Sequence, residues 1–279
     1  MVLIGNYNKL EIIKKVDHGV YLDGLELGEI LLPARYVPED AKINSFVDVF
    51  LYNDSEDRLI ATTLKPYAQV GDFAYLKVAS VHPEGAFLDW GLPKDLLVPF
   101  REQKITMTEG KSYIVAVFLD KATNRIAASS KIDKFLKKDV IELSDNQEVD
   151  IMVDHETDIG YTAIVNNAYH GLLYKSEIFQ PLPKGMKCEA WIKKIREDKK
   201  IDLSLTEPGR NNIESLAAKI LTELKNKHGF LPLNDKSPSE NIYSTFQQSK
   251  KSFKTALGFL YKQRLIIIGD DGIHLVNDR

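Results

Sequence analysis

A strand followed by a tight turn is predicted by Gly85-Ala-Phe-Leu-Asp-Trp-Gly91, in the first half of the 279-residue chain. Side chains alternate between the two faces of a strand, so Ala86 and Leu88 are expected to point inward and Phe87 outward. Four more runs rich in β-branched and aromatic residues surround this stretch, at residues 73–81, 96–100, 110–120 and 125–130. Such runs, punctuated by Gly, Asp and Asn, predict five strands between residues 70 and 131.

The same order of runs occurs twice more along the chain. One copy precedes the middle one, at residues 19–24, 30–34, 46–51 and 58–63, and another follows it, at residues 160–165, 171–177, 188–192 and 200–205. Self-similarity at a near-constant spacing indicates tandem units of one kind. About five strands in each short unit favour a small closed barrel over a sandwich, and closure removes exposed strand edges.

The last 70 or so residues carry a different pattern. Apolar side chains recur at helical spacing over residues 213–226, and Gly229 follows them. Ser237 and Glu240 have the spacing of a capping box and predict a second helix, and a third is expected to begin near Ser249. Two short strand-like runs close the chain, at residues 265–268 and 272–276. Three helices followed by a hairpin is the order of a winged helix.

Composition narrows the class of protein. Charged residues make up 28% of the chain, and no apolar run approaches the roughly 18 residues that a membrane span needs. Cys188 is the only cysteine, which fits a reducing compartment, so a cytoplasmic location and no membrane partner are expected. The formal net charge is −3, yet residues 184–279 contain 18 Lys and Arg against 12 Asp and Glu. A polyanion is therefore expected near the C-terminal third.

Each repeated unit resembles the S1 domain, a variant of the OB-fold barrel that binds oligonucleotides. In the middle copy, residues 85–91 are similar to that family's Gly-Ala-Phe-Val-Asp-Leu-Gly, and Asp120 with Arg125-Ile-Ala-Ala-Ser is similar to its closing strand pair. The third copy keeps Gly171-Leu-Leu-Tyr-Lys-Ser-Glu177 and Ile201-Asp-Leu-Ser-Leu205. The middle copy carries the resemblance best.

Three S1-like barrels followed by a winged helix resemble the conserved virulence factor B (YitL-like) family over essentially the whole chain. The fold class expected is mainly β and multidomain, with three tandem OB-fold barrels of five strands and an α+β winged helix. The expected domains are residues 1–66, 67–138, 145–207 and 210–279. The resemblance implies a bacterial, cytoplasmic virulence regulator that binds RNA and controls gene expression after transcription.

In S1 domains, single-stranded bases stack on aromatic side chains that project from the second and third strands. Tyr21 and Phe87 match the family's stacking position, with the alternative that each covers a neighbouring domain. The third copy has Thr162 there and an inward-facing Tyr161, so Tyr174 on the next strand is its candidate. Each unit keeps only part of the family's aromatic pair, which predicts weak single sites that act together.

Basic residues supply candidate phosphate contacts. Arg58, Arg125 and Lys200 occupy the family's basic fifth-strand position, and Asp120 matches its acidic partner, which copy three replaces with Arg196. Around Arg196, five of eight residues are basic, the others being Lys193, Lys194, Lys199 and Lys200. Lys250, Lys251 and Lys254 lie outside the apolar stripe of the third helix. A phosphate track over residues 160–264 is therefore expected, with a solvated hairpin as the alternative for residues 193–200.

No catalytic, metal or cofactor motif is evident. The six histidines are scattered without metal-ligand spacing, and no phosphate-cradling loop or nucleophile motif occurs. The leading hypothesis is a non-enzymatic protein that binds single-stranded RNA with low sequence specificity. A DNA-binding transcription regulator, with duplex nucleic acid at the winged helix, is the second hypothesis, and a protein-interaction scaffold with unknown protein partners is the third.

Overall fold

The computed structural model describes residues 1–137, 142–175, 178, 181–205, 207 and 211–276, apart from the side chains of residues 211, 212 and 214. The chain is mainly β and multidomain, as predicted. The expected domain limits at residues 138, 210 and 279 lie outside the described residues. No helix in the described part of the chain is long and apolar enough to cross a membrane.

Barrel 1 is a closed five-stranded barrel in the order β1-β2-β3-β5-β4. Its strands are β1 (Tyr7–Val16), β2 (Gly19–Asp23), β3 (Glu29–Pro33), β4 (Phe46–Asn53) and β5 (Leu59–Thr62). Pairing of β1 with β4 and of β3 with β5 completes the ring. Val20 and Leu22 are buried and Tyr21 is half-buried, so the alternation predicted from the sequence is confirmed.

The middle copy, here sheet 2, has five strands but is not closed by a ladder. Its strands, in the order β10-β9-β6-β7-β8, are β6 (Phe73–His82), β7 (Gly85–Asp89), β8 (Leu96–Pro99), β9 (Ser112–Asp120) and β10 (Arg125–Ser129). At the gap between β8 and β10, the Val98 carbonyl accepts a hydrogen bond from the buried Gln103 side chain (3.1 Å). Ser130 N–H likewise donates to the Glu102 carbonyl (3.0 Å). The predicted five-stranded unit is therefore present, with β8 and β10 in contact but not joined by a ladder, so that this unit is a half-barrel beside the two closed ones.

Barrel 3 is closed in the same order as barrel 1, β11-β12-β13-β15-β14. Its strands are β11 (Glu148–Glu156), β12 (Gly160–Val165), β13 (Tyr169–Tyr174), β14 (Lys187–Ile195) and β15 (Ile201–Ser204). The first strand of every copy has a register shift at the matching place, between Ile12 and Lys14, Val78 and Ser80, and Val153 and His155. A shared irregularity of this kind supports the predicted repeat.

The C-terminal unit is the predicted winged helix. It consists of α1 (Asn211–Asn226), β16 (Phe230–Leu231), α2 (Ser239–Phe246), α3 (Lys250–Lys262), β17 (Ile266–Ile268) and β18 (Ile273–Leu275), with the sheet order β16-β18-β17. Ser249 caps α3 through Ser252 N–H. The capping box predicted for α2 is wrong, because Pro238 is the N-cap and the Ser237 hydroxyl accepts from Asn234 N–H (2.8 Å) instead.

Apolar contacts join the three N-terminal units. Phe50, Tyr52 and Ile60 of barrel 1 pack into the core of sheet 2, and the Phe50 and Trp90 rings lie edge to face at 5.8 Å. On its other side, sheet 2 shares a smaller core with barrel 3 that includes Phe73 and Met152. The relative position of barrel 1 and sheet 2 is therefore set by buried side chains.

Candidate nucleic-acid interface

The outer face of barrel 1 carries a cavity of ≈ 700 Å³ lined by Tyr21 and Arg58, two residues selected from the sequence. Tyr21 projects from β2 because its neighbours Val20 and Leu22 fill the barrel core. The ammonium group of Lys14 lies 5.3 Å from the centre of the Tyr21 ring, and the His18 ring meets it edge to face at 6.3 Å. This is an aromatic face with a cation beside it, which suits a base and its phosphate.

Sheet 2 has a matching cavity of ≈ 500 Å³ lined by Phe87, Asp120 and Arg125. Phe87 is half-buried on β7 between the buried Ala86 and Leu88, and its ring meets that of His82 edge to face at 5.3 Å. Asp120 and Arg125 are cross-strand partners on β9 and β10. Phe87, predicted as a stacking residue, and the predicted pair of Asp120 and Arg125 therefore lie around one cavity.

The two cavities adjoin, since Tyr52, Ser55 and Lys94 line both of them. Lys94 follows β7 of sheet 2, and its carbonyl accepts a hydrogen bond from the Trp90 indole N–H (2.7 Å). Tyr52 is buried between the units, and burial raises the pKa of its hydroxyl to about 12, so the side chain stays neutral. Sequence patterns did not single out Lys94, because the match to S1 domains lies in strands and Lys94 lies between them.

Acidic residues of barrel 1 hold the cations of this interface. The Arg58 guanidinium donates to Asp54 (2.8 and 2.9 Å) and also contacts Glu56 (2.8 Å). Burial opposes ionisation of Asp54, but hydrogen bonds from the Arg58 side chain and from backbone N–H groups outweigh it and lower the pKa of the carboxyl group. The positive charge of Arg58 is thus neutralised by the carboxylates of Asp54 and Glu56.

Arg125 and Lys94 share a third carboxylate, that of Asp57. The Asp57 oxygens lie 2.6 Å from the Arg125 guanidinium and 3.1 Å from the Lys94 ammonium group. Asp120, the predicted acidic partner, faces Arg101 at 3.6 Å. The ion pairs of Asp57 therefore cross from barrel 1 to sheet 2.

In barrel 3, Tyr161 is buried in the core and Thr162 is half-buried, as the sequence predicted. Tyr174 lies at the end of β13, and its hydroxyl donates to Asp202 (3.2 Å) while accepting from Arg196. Arg196 also pairs with Asp202 at 2.8 Å, and this hydrogen bond raises the pKa of the guanidinium. Tyr174 and Arg196 are therefore brought together, with Asp202 as a link that the sequence did not indicate.

The remaining predicted cations lie on two elements. On the β14–β15 hairpin, Lys193, Lys194, Lys199 and Lys200 are exposed, with Lys200 3.2 Å from Asp198. On α3, Lys251 is exposed, the Lys250 ammonium group donates to the Lys236 carbonyl (3.2 Å), and Lys254 lies 3.8 Å from Asp235. The phosphate track that joins the hairpin to α3 stays a prediction.

Comparison with known proteins identifies the family. Residues 4–64 match the S1 domain model, and residues 218–275 match the model of the CvfB-like winged helix domain. The YitL protein of Bacillus subtilis (strain 168) is 30% identical over 274 residues, which cover 92% of this chain and 89% of YitL. The chain belongs to the conserved virulence factor B family.

Other members of the conserved virulence factor B family align over almost the whole chain. The Staphylococcus saprophyticus protein is 23% identical over 98% of this chain and 94% of its own length. The Staphylococcus aureus (strain N315) protein is 23% identical over 95% of this chain and 92% of its own length. A crystal structure of a multidomain protein with nucleic acid binding domains, from Streptococcus pneumoniae TIGR4, aligns over 98% of both chains with 26% identity and a TM-score of 0.41.

The S1 match indicates nucleic-acid binding for this member of the conserved virulence factor B family. This match falls on barrel 1, whereas the motifs of the middle copy resemble the S1 domain best. Barrel 1 carries one of the two adjoining cavities, and its five strands pair into a closed barrel. Neither matched domain model describes an enzyme.

Proposed function

We propose that this protein binds single-stranded RNA with low sequence specificity, has no catalytic activity, and regulates gene expression after transcription in the cytoplasm. One observation carries the proposal: aromatic and basic residues of two units line adjoining cavities, with Tyr21 and Arg58 on one side and Phe87 and Arg125 on the other. Stacking on aromatic faces tolerates any base, and basic side chains beside the rings contact the phosphate backbone of the nucleic acid.

Two adjoining surfaces favour a strand over a small ligand. Both cavities are open clefts along one junction, and Lys94 lies where they meet. A single strand can place unstacked bases on Tyr21 and Phe87 while its backbone passes Lys94. A duplex keeps its bases stacked inside and offers no free base face to these rings. At these two cavities the geometry therefore favours a single strand over a duplex.

The test is a titration of the full chain against a 5′-fluorescein-labelled, unstructured 15-nucleotide RNA, followed by fluorescence anisotropy. For single strands the slope of log K against log salt is about −0.7 per phosphate contact. Four contacts would weaken binding roughly 50-fold between 50 and 200 mM salt. A hairpin duplex of equal length should bind more weakly. An absence of binding at 50 mM salt, or a preference for the duplex, would contradict the proposal.

Barrel 3 is expected to add a second, weaker contact through Tyr174. Replacing Tyr174 with alanine removes its π-face, and the affinity for the 15-nucleotide RNA should fall about 5-fold, the lower end of stacking energies. Tyr174→Phe keeps the ring and loses only the hydroxyl that bonds to Asp202 and Arg196. It should therefore bind within about 2-fold of the wild type. Equal losses in both variants would show that the hydroxyl network matters and stacking does not.

A further inference from the structure

The turn between β4 and β5 reaches from barrel 1 across to sheet 2. The Lys94 ammonium group donates to the Asp54 carbonyl (2.6 Å), and the carboxylate of Asp57 lies between Lys94 and Arg125. The turn is held in one conformation because the Asp54 carboxylate accepts from Glu56 N–H (2.9 Å) and Arg58 N–H (3.0 Å). An anionic group is thus fixed at the point where the two cavities meet.

We propose that Lys94 and Arg125 form a phosphate subsite at the boundary of barrel 1 and sheet 2, and that Asp57 fills this subsite in the free protein. The proposal rests on the proposed single-stranded RNA binding and names the backbone phosphate as the group that replaces Asp57. Lys94 lines both cavities and Arg125 lines the one that holds Phe87. A strand that runs from Tyr21 to Phe87 passes this pair.

The chemistry of the pair suits a phosphate. Arginine offers a planar fork of N–H donors that matches phosphate oxygens, and lysine supplies a compact point charge. A carboxylate between two such cations occupies the place that two phosphate oxygens would take. Asp57 already binds one cation with each of its oxygens, Oδ1 to Lys94 and Oδ2 to Arg125. The subsite is therefore preformed.

Exposure of the three side chains allows the exchange. The exposed fractions are 42% for Asp57, 33% for Lys94 and 56% for Arg125. Ion pairs at such exposure contribute little net stability, so an incoming phosphate can displace the carboxylate at small cost. The pair of Arg58 with Asp54 differs, because the Asp54 carboxylate is only 15% exposed and also accepts backbone N–H groups. Arg58 stays with Asp54, while Lys94 and Arg125 become available.

The consequence is competition between Asp57 and the RNA backbone. A bound group that must be displaced lowers the apparent affinity of the ligand, and removal of its charge restores that affinity. Asp57 has a positive φ of 61°, a conformation that asparagine also tolerates. Asp57→Asn therefore removes the charge and keeps the turn.

The experiment compares Asp57→Asn with Glu56→Gln in the full chain. Glu56→Gln removes the same charge from the same turn, but Glu56 contacts only Arg58 among the cations of this interface. With the labelled 15-nucleotide RNA at 100 mM salt, Asp57→Asn should bind about 3- to 10-fold more tightly than the wild type. Glu56→Gln should stay within about 2-fold. Adding Lys94→Gln to Asp57→Asn should abolish the gain.

A polyphosphate chain of about 15 units has phosphates but no bases, so its binding reports on the phosphate subsite alone. It is titrated in parallel, either as a competitor of the labelled RNA or by thermal shift. Tighter binding of polyphosphate by Asp57→Asn than by Glu56→Gln supports the phosphate subsite even where RNA binding fails, and then only the proposed function is lost. Equal behaviour of the two variants with both ligands overturns the subsite. Weaker RNA binding by Asp57→Asn also overturns it, since Asp57 would then help to hold the binding surface.

Discussion

Replacing Tyr21 and Phe87 together with alanine should weaken binding of single-stranded RNA by the full chain at least about 30-fold. Each stacked base contributes about 1–3 kcal/mol, so two lost platforms cost at least about 2 kcal/mol, and 1.4 kcal/mol corresponds to a factor of ten. Neither ring is part of a barrel core, since both are half-buried and line the cavities. The folded state should therefore survive the change, with an unaltered circular dichroism spectrum.

A matched control is Phe46→Ala. Phe46 is 60% exposed on β4 of the same barrel and lines neither of the two cavities. Its loss should change RNA affinity by less than about 2-fold. The salt slope of the double variant should match the wild type, because no charge is removed. Wild-type affinity in the double variant would contradict an RNA interface at barrel 1 and sheet 2. The phosphate track over residues 160–264 would then be the remaining candidate for the RNA-binding surface.

The sequence predicted which side chains face outward because that property depends on local backbone geometry. Alternation along β2, β7 and β12 placed Tyr21 and Phe87 outside and Tyr161 inside, and the structure agrees. The alternative that each ring covers a neighbouring domain finds limited support: Pro93 and Lys94 of sheet 2 approach the cavity of Tyr21, yet an open cavity remains.

What the sequence could not predict depends on contacts between units. The ion pairs of Asp57 with Lys94 and Arg125 join residues 37 and 68 positions apart, and no short-range pattern reports such a distance. The missing ladder between β8 and β10 depends instead on contacts within sheet 2, where the Gln103 side chain donates to the Val98 carbonyl. The strand β16 was missed because two residues are too few to show alternation.

The largest effect on stability is expected from Gly85→Ala. A glycine begins the second strand of every copy, and a Cβ there would lie 2.2 Å from the Leu32 carbonyl oxygen at Gly19, 2.2 Å from that of Val98 at Gly85, and 1.9 Å from that of Leu173 at Gly160. The clashing atoms belong to the paired third strand, so they cannot move away without breaking the ladder. Gly85 also has a φ of 152°, which favours glycine.

Gly85→Ala should lower the stability of sheet 2 by roughly 2–4 kcal/mol, as expected for backbone strain combined with overpacking. Trp90, buried in sheet 2, reports its unfolding in urea once the other tryptophan is removed by Trp191→Phe. Gly110→Ala is the control: Gly110 has a φ of 78° in the same unit, but nothing lies within 4 Å of its Cβ position. It should cost only about 1 kcal/mol.

Equal shifts of the urea midpoint in the two variants would show that backbone conformation alone matters and that the close approach of β7 and β8 does not. A larger shift for Gly85→Ala has a further consequence for binding. Phe87 lies two residues from Gly85 on the same strand and pairs with Leu97 of β8. Because strain at Gly85 displaces the strand that presents Phe87, RNA affinity should fall in Gly85→Ala and stay unchanged in Gly110→Ala.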